Sequence, residues 1–260
     1  MAEVLIRGMR HHVQRLGAGP PTVVFLHGVV MDNLSSWYFS VAPAVAAVAP
    51  VLLYDLRGHG RSERPAAGYD LDSLVADLAA LLDAGEALEP VHLVGNSMGG
   101  MLALAFARAH PERVQSLVLV DAHLPDGRFG AQMGRTLRLQ GRERDEQIQL
   151  QFADWLGRHS ERKRNRLAQT AAALVEGTSL VADLEATAAW SDARLAEVRC
   201  PVLAIYGEAS DIRDRGERLG RVLPDCRLVW MEGCAHSVLW EATERVRGEI
   251  VAWVSEQQAG

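Results

Sequence analysis

The stretch VHLVGNSMGG, residues 91–100, decides the fold. Its first five residues form a short apolar run that predicts a buried strand, and residues 98–110 carry the apolar spacing of a helix. Between them, Gly95, Ser97 and Gly99 match the pattern G-x-S-x-G. In this pattern a tight strand-to-helix turn pushes the serine hydroxyl clear of the backbone, and small flanking residues permit the turn. We therefore predict that Ser97 is a nucleophile, with an ordinary helix N-cap serine as the alternative.

Further short apolar runs lie on both sides of this stretch, and helical patterns separate them. Continuous apolar runs are typical of parallel strands that helices cover on both faces. Residues 3–16 predict two more strands that turn near Gly8. The sequence thus predicts an α/β fold with a mostly parallel eight-stranded sheet. The other strands are expected at residues 23–27, 51–55, 116–121, 202–206 and 227–231, and the clearest helices at 70–84, 98–110 and 238–257.

The alternation of strands and helices is interrupted once, at residues 124–195. No strand pattern occurs there, and Arg, Glu, Gln and Ala recur in helical patterns. We interpret residues 1–123 and 196–260 as one α/β core, into which 124–195 is inserted as a helical cap. Open α/β sheets bind ligands at the carboxyl ends of their strands, so we expect the cap to cover that edge. The basic stretch 158–166 is expected to be a solvated helix face.

Charge and composition exclude several classes of protein. The net charge of −6 gives no positive field for nucleic acid or an anionic membrane. Three cysteines are too few for a disulfide framework, and the N-terminus has no signal-peptide pattern, so we expect a cytoplasmic protein. No nucleotide-binding loop or metal-binding spacing occurs, so we expect no cofactor and no metal. The expected partner is a small acyl substrate, and the sequence does not indicate an oligomeric state.

A serine hydroxyl needs a base, and His236 is the strongest candidate among the nine histidines. It lies in MEGCAHSVLWE, a loop of small residues between the last apolar strand and the last helix. His27 lies at the strand end FLHG, and His59 lies in the turn DLRGHGRS. His123 follows the strand at 116–121, so it is expected near the site, but it comes too early in the chain to be the usual base. We expect the remaining histidines to be structural or exposed.

Four motifs together resemble the α/β-hydrolase superfamily: FLHG, YDLRGHGRS, VGNSMGG and GCAHSVLWE, in this order. The resemblance covers nearly the whole chain outside the insertion. It implies the order nucleophile, acid, histidine along the chain, with His236 last. It also implies that His59 belongs to a structural turn. By the same resemblance, the backbone amides of Val29 and Met98 would form an oxyanion hole.

The resemblance implies that the acid follows the strand at residues 202–206. Asp211 lies four positions after Gly207, whereas three is the commoner spacing in the family. We predict that Asp211 orients His236 and stabilises its imidazolium form. Asp121, at the end of an earlier strand, is the alternative, because a few relatives carry the acid there.

The resemblance extends to esterases, thioesterases and lactonases. The elbow and the spacing of His236 and Trp240 are also similar to C–C bond hydrolases of aromatic ring cleavage, although HGVVMDNLSSW departs from their Ser/Gly/Pro-rich loop. We expect a serine hydrolase that cleaves a carboxylic ester, thioester or lactone through an acyl-enzyme on Ser97. Acyl transfer and C–C bond hydrolysis are the alternatives, and a ligand receptor with vestigial activity is a remote one. Met31, Trp37 and Trp240 are expected to line the substrate pocket, with core packing as the alternative.

Overall fold

The computed structural model describes residues 2–84, 90–126, 128–139, 143 and 161–259. Eight strands form one sheet: β1 (Ala2–Ile6), β2 (Met9–Leu16), β3 (Val23–Leu26), β4 (Val51–Tyr54), β5 (Val91–Asn96), β6 (Val114–Val120), β7 (Val202–Gly207) and β8 (Cys226–Met231). Their order is β1-β2-β4-β3-β5-β6-β7-β8. Strand β2 is antiparallel to β1 and to β4, and all other pairs are parallel. The predicted α/β fold with a mostly parallel eight-stranded sheet is confirmed.

The described helices are α1 (Ser35–Tyr38), α2 (Ala42–Val45), α3 (Leu71–Ala84), α4 (Met98–Ala109), α5 (Arg128–Arg138), α6 (Glu161–Gly177), α7 (Leu180–Glu185), α8 (Asp192–Leu195), α9 (Arg213–Val222), α10 (Val238–Glu241) and α11 (Thr243–Ala259). The helix expected at residues 238–257 is two helices, because Ala242 leaves helical geometry at φ −128° and ψ 40°. Among the described helices, none has the length and apolarity needed to cross a bilayer.

The continuous apolar strands follow from burial on both faces of the sheet. Alternate side chains of a strand point to opposite faces. In β3, Val24 and Leu26 pack into one hydrophobic cluster with α3 and α4. Val23 and Phe25 pack into a second cluster with α1, α2 and α11. Each face therefore needs apolar residues, and the strand has no polar side to alternate with.

The parallel register brings the ends of four strands to one edge of the sheet. Leu26 at the end of β3 pairs with Gly95 of β5, and Asn96 pairs with Val120 at the end of β6. Val120 in turn pairs with Ile205 of β7. The loops that follow these strands consequently start side by side. This edge is where ligands bind in open α/β sheets.

Helices α5 to α8 all lie in the range 124–195, where the sequence predicts a helical cap. Residues 140–142 and 144–160 of that range, including the start of the basic stretch at 158–166, lie outside the described residues. Helix α7 contacts the polypeptide ahead of α3. The amide of Ser179 donates to the Ala66 carbonyl at 2.8 Å, and the Asp183 carboxylate accepts from the Tyr69 amide at 2.8 Å.

Candidate active site

Ser97 occupies the turn between β5 and α4 in a strained backbone conformation, with φ 52° and ψ −120°. Few residues other than glycine adopt a positive φ, and such strain is concentrated at functional sites. A Cβ on Gly99 would overlap the Leu26 carbonyl oxygen, and a Cβ on Gly95 would overlap the carbonyl of Gly99. Both glycines of G-x-S-x-G are therefore required by close backbone approach.

The side chain of Ser97 makes no capping hydrogen bond to α4. An N-cap serine would accept a bond from an amide in the first helical turn, so the N-cap alternative is wrong. Ser97 instead lines a cavity of about 50 Å³ at the edge of the sheet, which His236 also lines. Because α4 begins at the next residue, its unpaired N-terminal amides and its dipole favour negative charge at this position.

Asp121 is the hydrogen-bond partner of His236. The Nδ1 of His236 lies 2.6 Å from Oδ2 of Asp121. The His236 side chain is 27% exposed, and that of Asp121 only 2%. A carboxylate accepts and does not donate, so Nδ1 carries the proton and Nε2 is left with its lone pair. This is the tautomer that a base needs.

The carboxylate of Asp121 is held rigidly at the end of β6. Its Oδ1 accepts from the Gly207 amide at 2.9 Å, and its Oδ2 accepts from the Ser210 hydroxyl at 2.6 Å. Its own amide donates to the Ile205 carbonyl at 2.7 Å. These contacts fix Asp121 between β6 and the loop after β7, and with it the ring of His236.

The prediction that Asp211 orients His236 is wrong, because the alternative, Asp121, makes the hydrogen bond to His236. Asp211 is exposed, and its Oδ2 accepts a long hydrogen bond of 3.4 Å from the side-chain Nε2 of Gln132. The residue three positions after Gly207, where the family usually carries its acid, is Ser210. That side chain is buried and supports Asp121. One position further, the loop turns the side chain of Asp211 outward.

The environment of His236 shifts its pKa in two directions. Burial lowers the pKa of His236, but the hydrogen bond and the charge of Asp121 outweigh burial, so that the pKa is raised. Asp211 adds a smaller contribution of the same sign through its charge alone. The protonated form of His236 is thus stabilised, which suits a candidate base.

His123 lies against His236, as its place after β6 predicts. The centroids of these two rings are 5.2 Å apart. The ring of Phe129 in α5 packs on the ring of His123, with a centroid distance of 4.1 Å. Burial lowers the pKa of His123 well below its ordinary value, so this ring is neutral. Its backbone amide donates to the carbonyl of Ser97 at 3.1 Å. Through the ring of His123, Phe129 in the described part of the predicted cap is connected to the candidate base, His236.

The loop after β3 carries Val29, whose backbone amide the family resemblance assigns to an oxyanion hole. Val29 lines the cavity, while Met98 is buried at the first position of α4. Within the described part of the chain, neither amide has a hydrogen-bond acceptor. His27 shapes this loop: its Nδ1 donates to the Gly28 carbonyl at 2.7 Å, and its Nε2 accepts from the Leu56 amide at 3.0 Å. His59 is buried with its pKa lowered to about 3, mainly by burial, in agreement with a structural role.

Two of the three predicted pocket residues reach the cavity. Met31 and Trp240 line it. The prediction for Trp37 is wrong: α1 places this side chain in the core on the other face of the sheet. Its ring packs on Phe25 at 5.1 Å, and its Nε1 donates to the Leu26 carbonyl at 3.0 Å. Among the described residues, no three His, Cys, Asp or Glu side chains come together in a way that could hold a metal ion.

Several wall residues were not expected from the sequence. Asp32 and Asn96 line the cavity beside Ser97. Asn96 is the first of the two variable positions of G-x-S-x-G, so its place beside Ser97 could have been noticed from the motif. Asp32 lies four residues after Gly28, in a loop without a pattern that fixes side-chain directions. The other unexpected wall residues are Val120, Ser237 and Leu239.

A model of the α/β-hydrolase fold family matches residues 21–219. The chain belongs to this family, as the four motifs in the sequence indicate. The relatives that it matches in this family include proteins named as hydrolases.

The relatives and solved structures similar to this chain include hydrolases with different names. A 2-hydroxy-6-oxo-2,4-heptadienoate hydrolase from Pseudomonas putida is 42% identical over 122 residues, which are 46% of this chain and 43% of that enzyme. The alignment thus spans less than half of that relative. A meta-cleavage product hydrolase from Pseudomonas fluorescens superposes with a TM-score of 0.81 at 25% identity, covering 98% of each chain. The enol-lactonase from Burkholderia xenovorans has a TM-score of 0.78 over 98% of this chain and 100% of its own, and at 23% identity it shows the fold alone.

Proposed function

We propose that this enzyme is a serine hydrolase that cleaves a carboxylic ester, thioester or lactone through an acyl-enzyme on Ser97. The observation that carries the proposal is the 2.6 Å contact between His236 and Asp121 beside the same cavity as the strained serine. A nucleophile, a base and an acid that orients the base form the arrangement that activates a serine hydroxyl.

The reaction follows from the proton inventory of these side chains. Nε2 of His236 takes the proton of Ser97 as Oγ attacks the substrate carbonyl, and Asp121 stabilises the imidazolium that forms. The amides of Val29 and Met98 stabilise the oxyanion of the tetrahedral intermediate. His236 then passes its proton to the leaving group. Water, deprotonated by His236 in the same way, releases the acyl group and restores the serine.

We also propose that residues 124–195 act as a cap that influences substrate choice. The stack of Phe129 on His123, which lies against His236, supports this proposal. Only two ring contacts, Phe129 to His123 and His123 to His236, separate α5 from the base. A change in α5 therefore reaches the reacting groups through them.

C–C bond hydrolysis on the same triad is the second candidate. It is favoured by the aligned segment that is 42% identical to a hydrolase of 2-hydroxy-6-oxo-2,4-heptadienoate. Acyl transfer would differ only in the group that attacks the acyl-enzyme. Turnover of simple esters, compared with turnover of a ring-cleavage product, distinguishes ester hydrolysis from C–C bond hydrolysis.

Labelling with a serine-directed fluorophosphonate tests the proposal. The wild-type protein should gain one covalent adduct on Ser97, mapped by peptide mass analysis, and Ser97→Ala should gain none. Loss of a triad member typically lowers kcat by about 10⁴ to 10⁶, so turnover of an aryl ester should be lost with the fold intact. Ser237→Ala removes another hydroxyl from the same cavity and should still be labelled. The mechanism would be contradicted if Ser97→Ala is labelled, or if it retains more than a few per cent of the wild-type activity.

A further inference from the structure

Asp32 is a charged side chain in the cavity wall that the proposed reaction does not use. Its Oδ2 accepts from the Gly28 amide at 2.9 Å and from Nδ2 of Asn96 at 3.3 Å. Its Oδ1 accepts from the Asn33 amide at 2.9 Å and from the Ser36 hydroxyl. All four partners donate, and four acceptor sites are what an ionised carboxylate offers. The side chain is therefore fixed in place as an acceptor.

The carboxylate faces the nucleophile across one glycine. A Cβ on Gly28 would lie 3.3 Å from Oδ2 of Asp32 and 3.3 Å from Cβ of Ser97. Gly28 directly precedes Val29, whose amide belongs to the proposed oxyanion hole. A substrate carbonyl that reacts with Ser97 must therefore lie beside the charge of Asp32.

Positive charge does not balance this carboxylate in the described wall. No Lys or Arg of the described residues lines the cavity. His236 is the other titratable side chain there, and it is paired with Asp121. Arg215, whose charge influences His236, is itself buried and paired with Asp126 at 3.0 Å.

We propose that Asp32 makes this enzyme select uncharged or cationic substrates over substrates that carry a carboxylate near the scissile bond. The inference rests on the proposed serine hydrolase function and names its substrate class. A second negative charge in the cavity would be repelled by Asp32, and repulsion is stronger in a partly closed site than in water. A repulsive element of this kind is a common basis of specificity.

Matched esters test the charge directly. On the alcohol side, the probes are 3-acetoxybenzoate, its neutral methyl ester and the cationic 3-acetoxy-N,N,N-trimethylanilinium. On the acyl side, they are phenyl hydrogen adipate and phenyl methyl adipate. Each kcat/KM is divided by the rate constant of hydroxide-catalysed hydrolysis, which corrects for intrinsic reactivity. The wild-type enzyme should prefer the neutral to the anionic ester by about tenfold or more on at least one side, and the cationic ester should do at least as well as the neutral one.

Asp32→Asn should reduce that preference by about tenfold, because it removes the charge and keeps the shape. The remaining oxygen can still accept from Gly28 and Asn96, and the new amide can donate to Ser36. The Asn33 amide loses its acceptor, and the Ser36 hydroxyl then accepts where it donated before. Ser36→Ala is the matched control: it removes one bond to Asp32 and leaves the charge. It should change kcat/KM of all five esters by a common factor.

The outcomes separate the inference from the proposed function. If the wild type hydrolyses anionic and neutral esters equally well, or if folded Asp32→Asn keeps the wild-type ratios, the inference is overturned while Ser97 remains labelled by the phosphonate. A wild type without this preference overturns the inference even where Asp32→Asn does not fold. If no ester turns over and no label attaches, the serine hydrolase proposal fails, and the inference fails with it.

Discussion

At the scale of single residues, the acid of the candidate triad depends on the direction of side chains in two neighbouring loops. Asp121 at the end of β6 reaches His236, and the hydroxyl of Ser210 in the loop after β7 donates to Asp121 at 2.6 Å. Asp211 is next to Ser210 but points to the surface. The position three residues after Gly207, where the family usually carries its acid, thus holds a serine, and the carboxylate that contacts His236 follows β6 instead.

Asp121→Asn should lower kcat on one aryl ester by about 10² to 10⁴, and Asp211→Asn by less than about threefold. An asparagine at position 121 would favour the wrong imidazole tautomer, as in the protease example of this change. Asp211 acts on His236 only through its distant charge. The two kcat values at one pH decide the assignment. A crippled Asp211→Asn beside an active Asp121→Asn would contradict it.

The pH dependence gives the same variants a second readout. His236 must be neutral to act as base, so kcat/KM should fall as the pH drops through its raised pKa. Asp121→Asn removes the hydrogen bond to a charged acceptor and the charge that raise this pKa. The acidic limb, or the NMR titration of His236, should therefore move to lower pH in Asp121→Asn and much less in Asp211→Asn.

At the scale of elements, the turn from β5 to α4 is the feature with the tightest steric demands. Its glycines leave room for backbone atoms of β3 and of α4 itself. The positive φ of Ser97 persists only because the surrounding strands and helix determine it. The site therefore depends on packing that the side chains of the triad do not contribute.

Gly99→Ala should destabilise the protein by more than about 2 kcal/mol, because the new Cβ overlaps the carbonyls of Leu26 and His27. Gly248→Ala is the matched control. Gly248 lies inside α11 with open space where its Cβ would be, so alanine there should stabilise by up to about 1 kcal/mol. Urea unfolding of both variants measures the difference. Equal stabilities would mean that the turn can relax.

At the scale of the whole molecule, the core holds histidines that are neutral in the folded state. Burial lowers the pKa of His92 to about 4 and is the main cause that lowers the pKa of His59 to about 3. In the unfolded chain, both would titrate near their ordinary value of about 6.5. Between these values the unfolded chain binds protons that the folded protein does not bind.

The stability that these two histidines contribute should therefore be complete above about pH 6.5 and be lost progressively as the pH falls towards 4. Each group gives a slope of at most about 1.4 kcal/mol per pH unit. Urea unfolding of the wild type between pH 7 and pH 4.5 measures their contribution together with those of His123 and His236, whose pKa values are also shifted. His92→Gln should have a smaller slope. Ser116→Ala, which removes the hydroxyl 2.8 Å from Nδ1 of His92 and leaves the titrating ring, should keep it. An unchanged slope in His92→Gln would contradict this origin.

The sequence by itself determined the sheet, the order of its strands along the chain and the elbow. These features are local: a buried parallel strand requires consecutive apolar residues, and a tight turn requires glycines at fixed positions around Ser97. The strand bounds agree with the expected ones to within two residues. The family match over residues 21–219 confirms the resemblance that the four motifs indicate.

Only the tertiary structure decided which side chains meet. Asp121 and Asp211 both follow strands at the same edge, and Trp37 and Trp240 both lie near motifs, so sequence position alone does not distinguish the members of each pair. In the loop after β7, the side chain of Ser210 points to the site, whereas that of the next residue, Asp211, points to the solvent. Trp37 and Trp240 both lie in short helices, but the first packs in the core and the second lines the cavity. These directions depend on contacts between segments distant in sequence, such as the bond from Ser210 to Asp121. No local pattern encodes such contacts, because each partner's position is fixed by the packing of the whole sheet.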